Sequence, residues 1–140
     1  MQVRAWRRAR ENDARLVARL LEVVGDALLE VARLADIEEA EGADLLKIDI
    51  QGAELMVLDG MTGRLPEIDA LVIETSTIAT VKGGAEVRDV VSFLGDHGFV
   101  LADIVGLRRR PLDDATAQLD LLFVPHDKSL RMDRRWAASA

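Results

Sequence analysis

The chain is predicted to fold as α/β, and three features of the sequence predict it. A short apolar run, Leu45, Leu46, Ile48 and Ile50, passes directly into a helix-period segment that begins near Ala53. A second run, ALVIE at residues 70–74, precedes an amphipathic segment at 86–96. Two further apolar stretches, 99–105 and 119–124, follow one another with only a turn-forming segment between them. Short apolar runs separated by helical periodicity are the pattern of buried strands joined by helices, and the last two read as a terminal antiparallel hairpin.

The elements follow in order. Residues 11–24 carry Leu16, Val17, Leu20, Leu21 and Val24 at helical spacing, with Arg15 and Arg19 on the other side, and Gly25-Asp26 ends that helix. Residues 1–26 are therefore assigned to an N-terminal helical segment. Residues 27–34 fit either a strand or a helix; the alternation of Leu29 and Val31 with Glu30 and Ala32 favours a strand. Residues 36–41 form a short acidic helical turn, and 44–50 a buried strand. A helix over 53–59 presents Leu55, Met56 and Leu58 and stops at Gly60. Pro66 lies in a loop, 70–74 is the next buried strand, and Gly83-Gly84 marks a turn. The helix at 86–96 uses Val87, Val90, Val91 and Leu94 and closes at Gly98. The final hairpin is joined by a basic loop, Arg108-Arg109-Arg110-Pro111, and residues 127–140 form a polar tail. One domain is expected, with an α/β core over 27–126.

Bulk properties bound the function. With 140 residues, 49% of them hydrophobic, the chain can bury a core. No apolar run reaches the roughly 20 residues that span a bilayer, so no membrane span is expected. The arginine-rich start has no apolar stretch or small-residue cleavage site of a secretory signal. The absence of cysteine excludes disulfides and thiolate chemistry and fits a cytoplasmic protein. An excess of 25 acidic over 18 basic side chains argues against a nucleic-acid surface.

The strand–turn–helix at residues 44–60, DLLKIDIQGAELMVLDG, concentrates the chemistry. Polar groups at the C-terminal end of a buried strand, facing a helix N-terminus, lie where open α/β sheets bind ligands. Asp49 has two readings, a general base or metal ligand acting on a substrate hydroxyl, or a cap for the helix that follows. Glu54 falls in that helix's first turn, where the dipole favours negative charge. Gln51 would donate to substrate or face solvent, and Gly52 would permit a tight turn or close ligand approach. Lys47, two residues from Asp49 on the same face of the strand, reads as half of a structural ion pair. Glu74, with Thr75 and Ser76, ends the second strand on the same rim, as an acceptor-pocket residue or as polar residues leaving a strand. His97 reads as a helix C-terminal dipole partner, and His126 as an exposed residue. No spacing of His, Asp and Glu defines a metal site, and none is expected. Arg108 to Arg110 would grip an anion or simply be solvated.

Leu46-Lys47-Ile48-Asp49-Ile50-Gln51-Gly52-Ala53-Glu54-Leu55, followed by Leu58 and Gly60, resembles the signature of the FkbM-type methyltransferases. The resemblance continues through Arg33-Leu34-Ala35-Asp36-Ile37, Ile73-Glu74, Gly98-Phe99 and Gln118 to Val124, and covers residues 31–136. It implies a Rossmann-like sheet of mostly parallel strands with a terminal antiparallel hairpin and helices on both faces. It also implies S-adenosylmethionine as cofactor and a small-molecule acceptor methylated on oxygen, such as a sugar, lipid or secondary-metabolite hydroxyl. Asp49 and Glu54 are then the catalytic candidates, and Gln51, Gly52 and Glu74 the substrate-binding ones.

The resemblance is to the C-terminal half of such an enzyme. Upstream of residue 31 nothing resembles the glycine-rich turn that holds the cofactor's methionine part, or the acidic residue that takes its ribose. A truncated, non-catalytic remnant or interaction module is thus the alternative reading. In the family's sheet the strand at 44–50 pairs with a first strand, so its edge is expected to be exposed here. Such an edge would permit self-association unless the helix at 11–24 covers it.

Overall fold

A computed structural model of the protein describes residues 2–6, 43–78 and 82–128. Five strands form one sheet: β1 (Gln2–Trp6), β2 (Leu45–Asp49), β3 (Ala70–Ser76), β4 (Phe99–Arg109) and β5 (Thr116–Pro125). Their order across the sheet is β1-β2-β3-β5-β4. Two α-helices, α1 (Glu54–Gly60) and α2 (Val87–Asp96), connect β2 to β3 and β3 to β4, and a 3-10 turn (Thr62–Glu67) follows α1. The strand-helix-strand-helix-strand-strand order expected from residue 44 onward is the order observed. Expectations for residues 11–24, 27–34 and 36–41, and for the tail beyond Lys128, lie outside the described residues.

Strand alternation builds the core. Leu46 and Ile48 of β2 stand beside Leu71 and Ile73 of β3, which stand beside Phe123 and Leu121 of β5. All six are buried on one face of the sheet, with Leu58 of α1 and Val90 and Leu94 of α2 in the same cluster. Each side chain of this size taken out of water contributes about 1.5–3 kcal/mol. α2 packs on β3 and β4, and α1 packs against α2, so both helices lie on this face. The other face carries Lys47 and Asp49 of β2, Val72 and Glu74 of β3, and Gln118 and Asp120 of β5.

Several expectations are corrected. The sheet is mixed rather than mostly parallel: β2 and β3 are parallel, whereas β1–β2, β3–β5 and β4–β5 are antiparallel. Helices were expected on both faces; among the described residues both α-helices share one. Within residues 1–26, read as helical, Gln2–Trp6 is a strand that pairs with Asp49–Leu45 and covers the edge expected to be open. Backbone pairing to a waiting strand decides that segment, which is too short for a helical stripe to compete. Arg108 and Arg109 belong to β4 and not to a loop, since their backbones pair with Gln118 and Thr116. Pro66, read as a loop residue, sits inside the 3-10 turn.

Turn chemistry sets the remaining joints. Gly98, at φ 82°, closes α2 as expected, and His97 Nδ1 lies 2.7 Å from the carbonyl oxygen of Phe93, with its ring stacked on Phe93. His97 therefore sits at the helix C-terminus, where its reading placed it. At the start of α2, the Glu86 N–H donates to Asp89 at 3.0 Å. The β4–β5 hairpin tip is held by Arg110, which donates through Nε and Nη2 to the two oxygens of Asp113 at 2.6 and 2.5 Å. That bond, with a further one from the Ala115 N–H, holds the Asp113 carboxyl at about 2, well below its ordinary value. No helix among the described residues is long and apolar enough to cross a membrane.

Candidate active site

The turn after β2 has an unusual backbone. Gln51 is left-handed at φ 56° and Gly52 follows at φ 104°. Glycine adopts such a φ without a Cβ penalty, as Gly52 was expected to; glutamine does not. The reversed turn swings the Gln51 side chain back over the strand ends. Its Nε2 donates to Glu74 Oε1 at 2.7 Å and to Asp49 Oδ1 at 3.2 Å. One carboxamide thus joins the C-terminal ends of the two parallel strands.

Glu74 is the centre of the rim, and only 4% of it is exposed. A buried carboxylate needs donors, and three side chains supply them. Gln118 Nε2 donates to Glu74 Oε1 at 2.8 Å, and the Arg108 guanidinium lies 3.5 Å from Oε2. Arg108 also donates to Gln118 Oε1 at 3.3 Å, so the cluster closes on itself. Register explains the convergence: Gln118 stands opposite both Ser76 of β3 and Arg108 of β4.

Asp49 is not a helix cap. α1 has no side-chain cap at Ala53, and Asp49 instead accepts from Gln51 and faces the Lys47 ammonium at 3.9 Å. The Lys47–Asp49 ion pair read from the sequence is present, and Lys47 lies closer still, 3.6 Å, to Asp120. Asp120 Oδ1 has no hydrogen-bond partner among the described atoms, so Lys47 is its electrostatic partner. Asp120 lies directly over Gly106 on β4: a Cβ there would come within 2.3 Å of Oδ2.

Glu54 departs from this group. It is 3% exposed, and its Oε1 accepts from the Gly52 N–H at 2.9 Å. Its carboxylate secures the turn through the Gly52 N–H, just ahead of α1. The structure therefore brings Asp49, Gln51 and Glu74 together at one edge, with Gly52 shaping the turn and Glu54 beneath it. His126 is exposed, with Nδ1 3.2 Å from the Gly98 carbonyl oxygen, far in sequence from the rim residues.

Gln118, Arg108 and Asp120 were not among the expected site residues. The signal for Gln118 and Asp120 was present: they alternate with Leu119 and Leu121, so two polar side chains share one face of a core strand. Among the described residues no group of three or more His, Asp or Glu side chains converges as a metal site.

A family model, the methyltransferase FkbM domain, matches residues 8–101. The chain belongs to the FkbM methyltransferase family. The match spans β2, α1, β3 and α2, and so includes Asp49, Gln51, Gly52, Glu54 and Glu74. It begins upstream of residue 31, where the resemblance was expected to start, and ends at the beginning of β4 rather than running on to 136. Comparison with curated proteins and with solved structures gave no match.

Proposed function

We propose that this FkbM-family chain transfers a methyl group from S-adenosylmethionine to an oxygen nucleophile, a hydroxyl of a sugar, lipid or secondary metabolite, held at the Asp49–Gln51–Glu74 rim. The observation that carries the reading is the Gln51 carboxamide, which fixes two carboxylates relative to one another at the C-terminal ends of parallel strands. That is where an open α/β sheet presents ligands.

In this reading Asp49 is the base. Its side chain is 23% exposed whereas that of Glu74 is 5%, so Asp49 is the carboxylate an acceptor hydroxyl reaches. It accepts the hydroxyl proton as the oxygen turns nucleophilic. Gln51 holds the carboxylate in place and turns its remaining polar atoms to the acceptor. Glu74, already fixed by Gln51, Gln118 and Arg108, keeps that arrangement rigid, and Glu54 holds the turn that aims Gln51. Positioning supplies most of the acceleration in such a displacement.

S-adenosylmethionine brings a methyl group on a sulfonium centre. The rim suits the acceptor side of that reaction, since carboxylates and carboxamides pair with hydroxyls. None of the described residues is assigned to holding the cofactor's methionine part.

The test is transfer of tritiated methyl to sugar and lipid acceptors, with Asp49→Asn beside the unaltered chain. Loss of about a hundredfold or more is expected for a missing general base. Undiminished transfer by Asp49→Asn would remove Asp49 from the mechanism. Calorimetric titration with S-adenosylhomocysteine addresses the rival, a non-catalytic module: micromolar binding by this chain excludes it, and no binding with no transfer supports it.

A further inference from the structure

We propose that β4 is the contact strand of a symmetric dimer of this chain. β4 ends the sheet, and no described strand pairs with its outer edge. Along it four large apolar side chains are exposed: Leu101 at 40%, and Ile104, Val105 and Leu107 at 52% each. An open edge of this length with an apolar surface is a template for another strand. β1 ends the sheet on the opposite side, but it spans only five residues, Gln2–Trp6, against the eleven of β4.

Which strand fits is decided by the irregularities in β4. In a regular strand Ile104 and Leu107, three residues apart, would point to opposite faces. The register shift between Ile104 and Gly106 cancels that difference: Ile104 stands opposite Leu121 and Leu107 opposite Leu119, on the core face. By the same shift Asp103, opposite Leu122, and Arg108, opposite Gln118, share the other face. β4 is therefore self-complementary in one antiparallel register. With Asp103 of one copy against Arg108 of the other, Ile104 meets Leu107, and a two-fold axis repeats both pairs. Opposite charges meet on one face and apolar side chains on the other, which is the pairing a sheet rewards. Arg108 reaches Glu74 and Gln118 through Nη1, at 3.5 and 3.3 Å, and its side chain is 66% exposed, which leaves the rest of the guanidinium to meet Asp103.

Sedimentation velocity of the full chain over a concentration series tests this, with circular dichroism to confirm folding. A monomer–dimer equilibrium is expected. Asp103→Arg sets arginine against Arg108 twice and should weaken the dimer about tenfold or more. Ile104→Lys should do the same from the other face. The double exchange Asp103→Arg with Arg108→Asp should restore association, because it reverses the charges without changing the register. A chain that stays monomeric at the highest attainable concentration overturns the proposal. So does a dimer indifferent to both Asp103→Arg and Ile104→Lys, or a folded double exchange that fails to recover.

Discussion

Gln51 and Glu74 meet at 2.7 Å because Gln51 adopts a backbone conformation that glutamine ordinarily avoids. At φ 56° the side chain folds back across the strand ends, whereas an extended residue would carry it away. A left-handed residue with a Cβ costs about 1–2 kcal/mol. Packing and the hydrogen bonds to Asp49 and Glu74 hold it there, and the strain lies at the proposed reaction centre.

Replacing Gln51 separates the two contributions. Gln51→Gly removes the carboxamide and relieves the φ, so its unfolding midpoint should equal or exceed that of the unaltered chain. Gln51→Ala removes the carboxamide and keeps the strain, and should be about 1 kcal/mol less stable than the glycine variant. Both should lose methyl transfer to a similar degree. Thermal melts and the tritiated-methyl assay on the pair check this; a glycine variant that keeps full activity would show that the bridge is dispensable.

Glu74 should matter more for stability. Glu74→Ala leaves the donors of Gln51 and Gln118 and the Arg108 guanidinium without their shared acceptor at a buried position. Gln51 and Arg108 are exposed and can turn to water, so the loss should be about 0.5–1.5 kcal/mol, readable as a lower urea midpoint. Glu74→Gln keeps the volume but turns an NH2 group toward donors, and should fall between the alanine variant and the unaltered chain. Equal midpoints for all three proteins would mean the cluster contributes nothing to folding.

Local periodicity carried most of this fold into view. The alternation in 44–50 and 70–74 and the helical spacing in 86–96 depend only on near neighbours, and those elements stand where they were read. What escaped was pairing between distant segments. Val3 and Ala5 alternate with Arg4, but only β2, some forty residues on, makes Gln2–Trp6 a strand. Arg108-Arg109-Arg110-Pro111 has the composition of a loop, yet ladder bonds to β5 hold its first two residues in a strand. The same holds for the site. Asp49, Gln51 and Glu74 were legible from their place at strand ends, whereas Gln118 and Arg108 reach Glu74 only through the β3–β5–β4 register. Glu54 was read as a first-turn carboxylate and catalytic candidate; its burial against the Gly52 amide follows from the turn's shape, which composition does not reveal.

Gly106 should tolerate no side chain while Asp120 keeps its place. A methyl group there would stand 2.3 Å from Asp120 Oδ2 and 3.0 Å from its Cβ and Cγ. Asp120 is short, and Lys47 holds it at 3.6 Å, so it has little room to withdraw. Gly106→Ala should destabilise by about 1–3 kcal/mol, in line with overpacking. Combining it with Asp120→Gly removes the obstructing atoms, and the two changes together should cost less than their sum. A double-mutant cycle by urea unfolding measures that coupling. Strict additivity would place the clash elsewhere.

The hairpin tip should show its pairing in acid. Asp113 is held at about 2 against an ordinary 3.8, first by the hydrogen bonds from Arg110 and next by the Ala115 N–H. A carboxyl depressed in the folded state stabilises it above the unfolded value, and that contribution is lost as pH falls. The window is therefore acidic: the tip is fully held above pH 3.8 and is released as pH falls through about 2. Because Asp113 is exposed, the effect should be local, a loosening of the turn with the core strands unaffected. A carboxyl carbon NMR titration should place the Asp113 midpoint near 2, and Arg110→Gln should raise it toward 3.8. The Ala115 amide, 3.1 Å from Asp113 Oδ1, should shift over the same range as its acceptor is protonated. An Asp113 that titrates near 3.8 in the unaltered chain would mean that Arg110 does not hold the turn in solution.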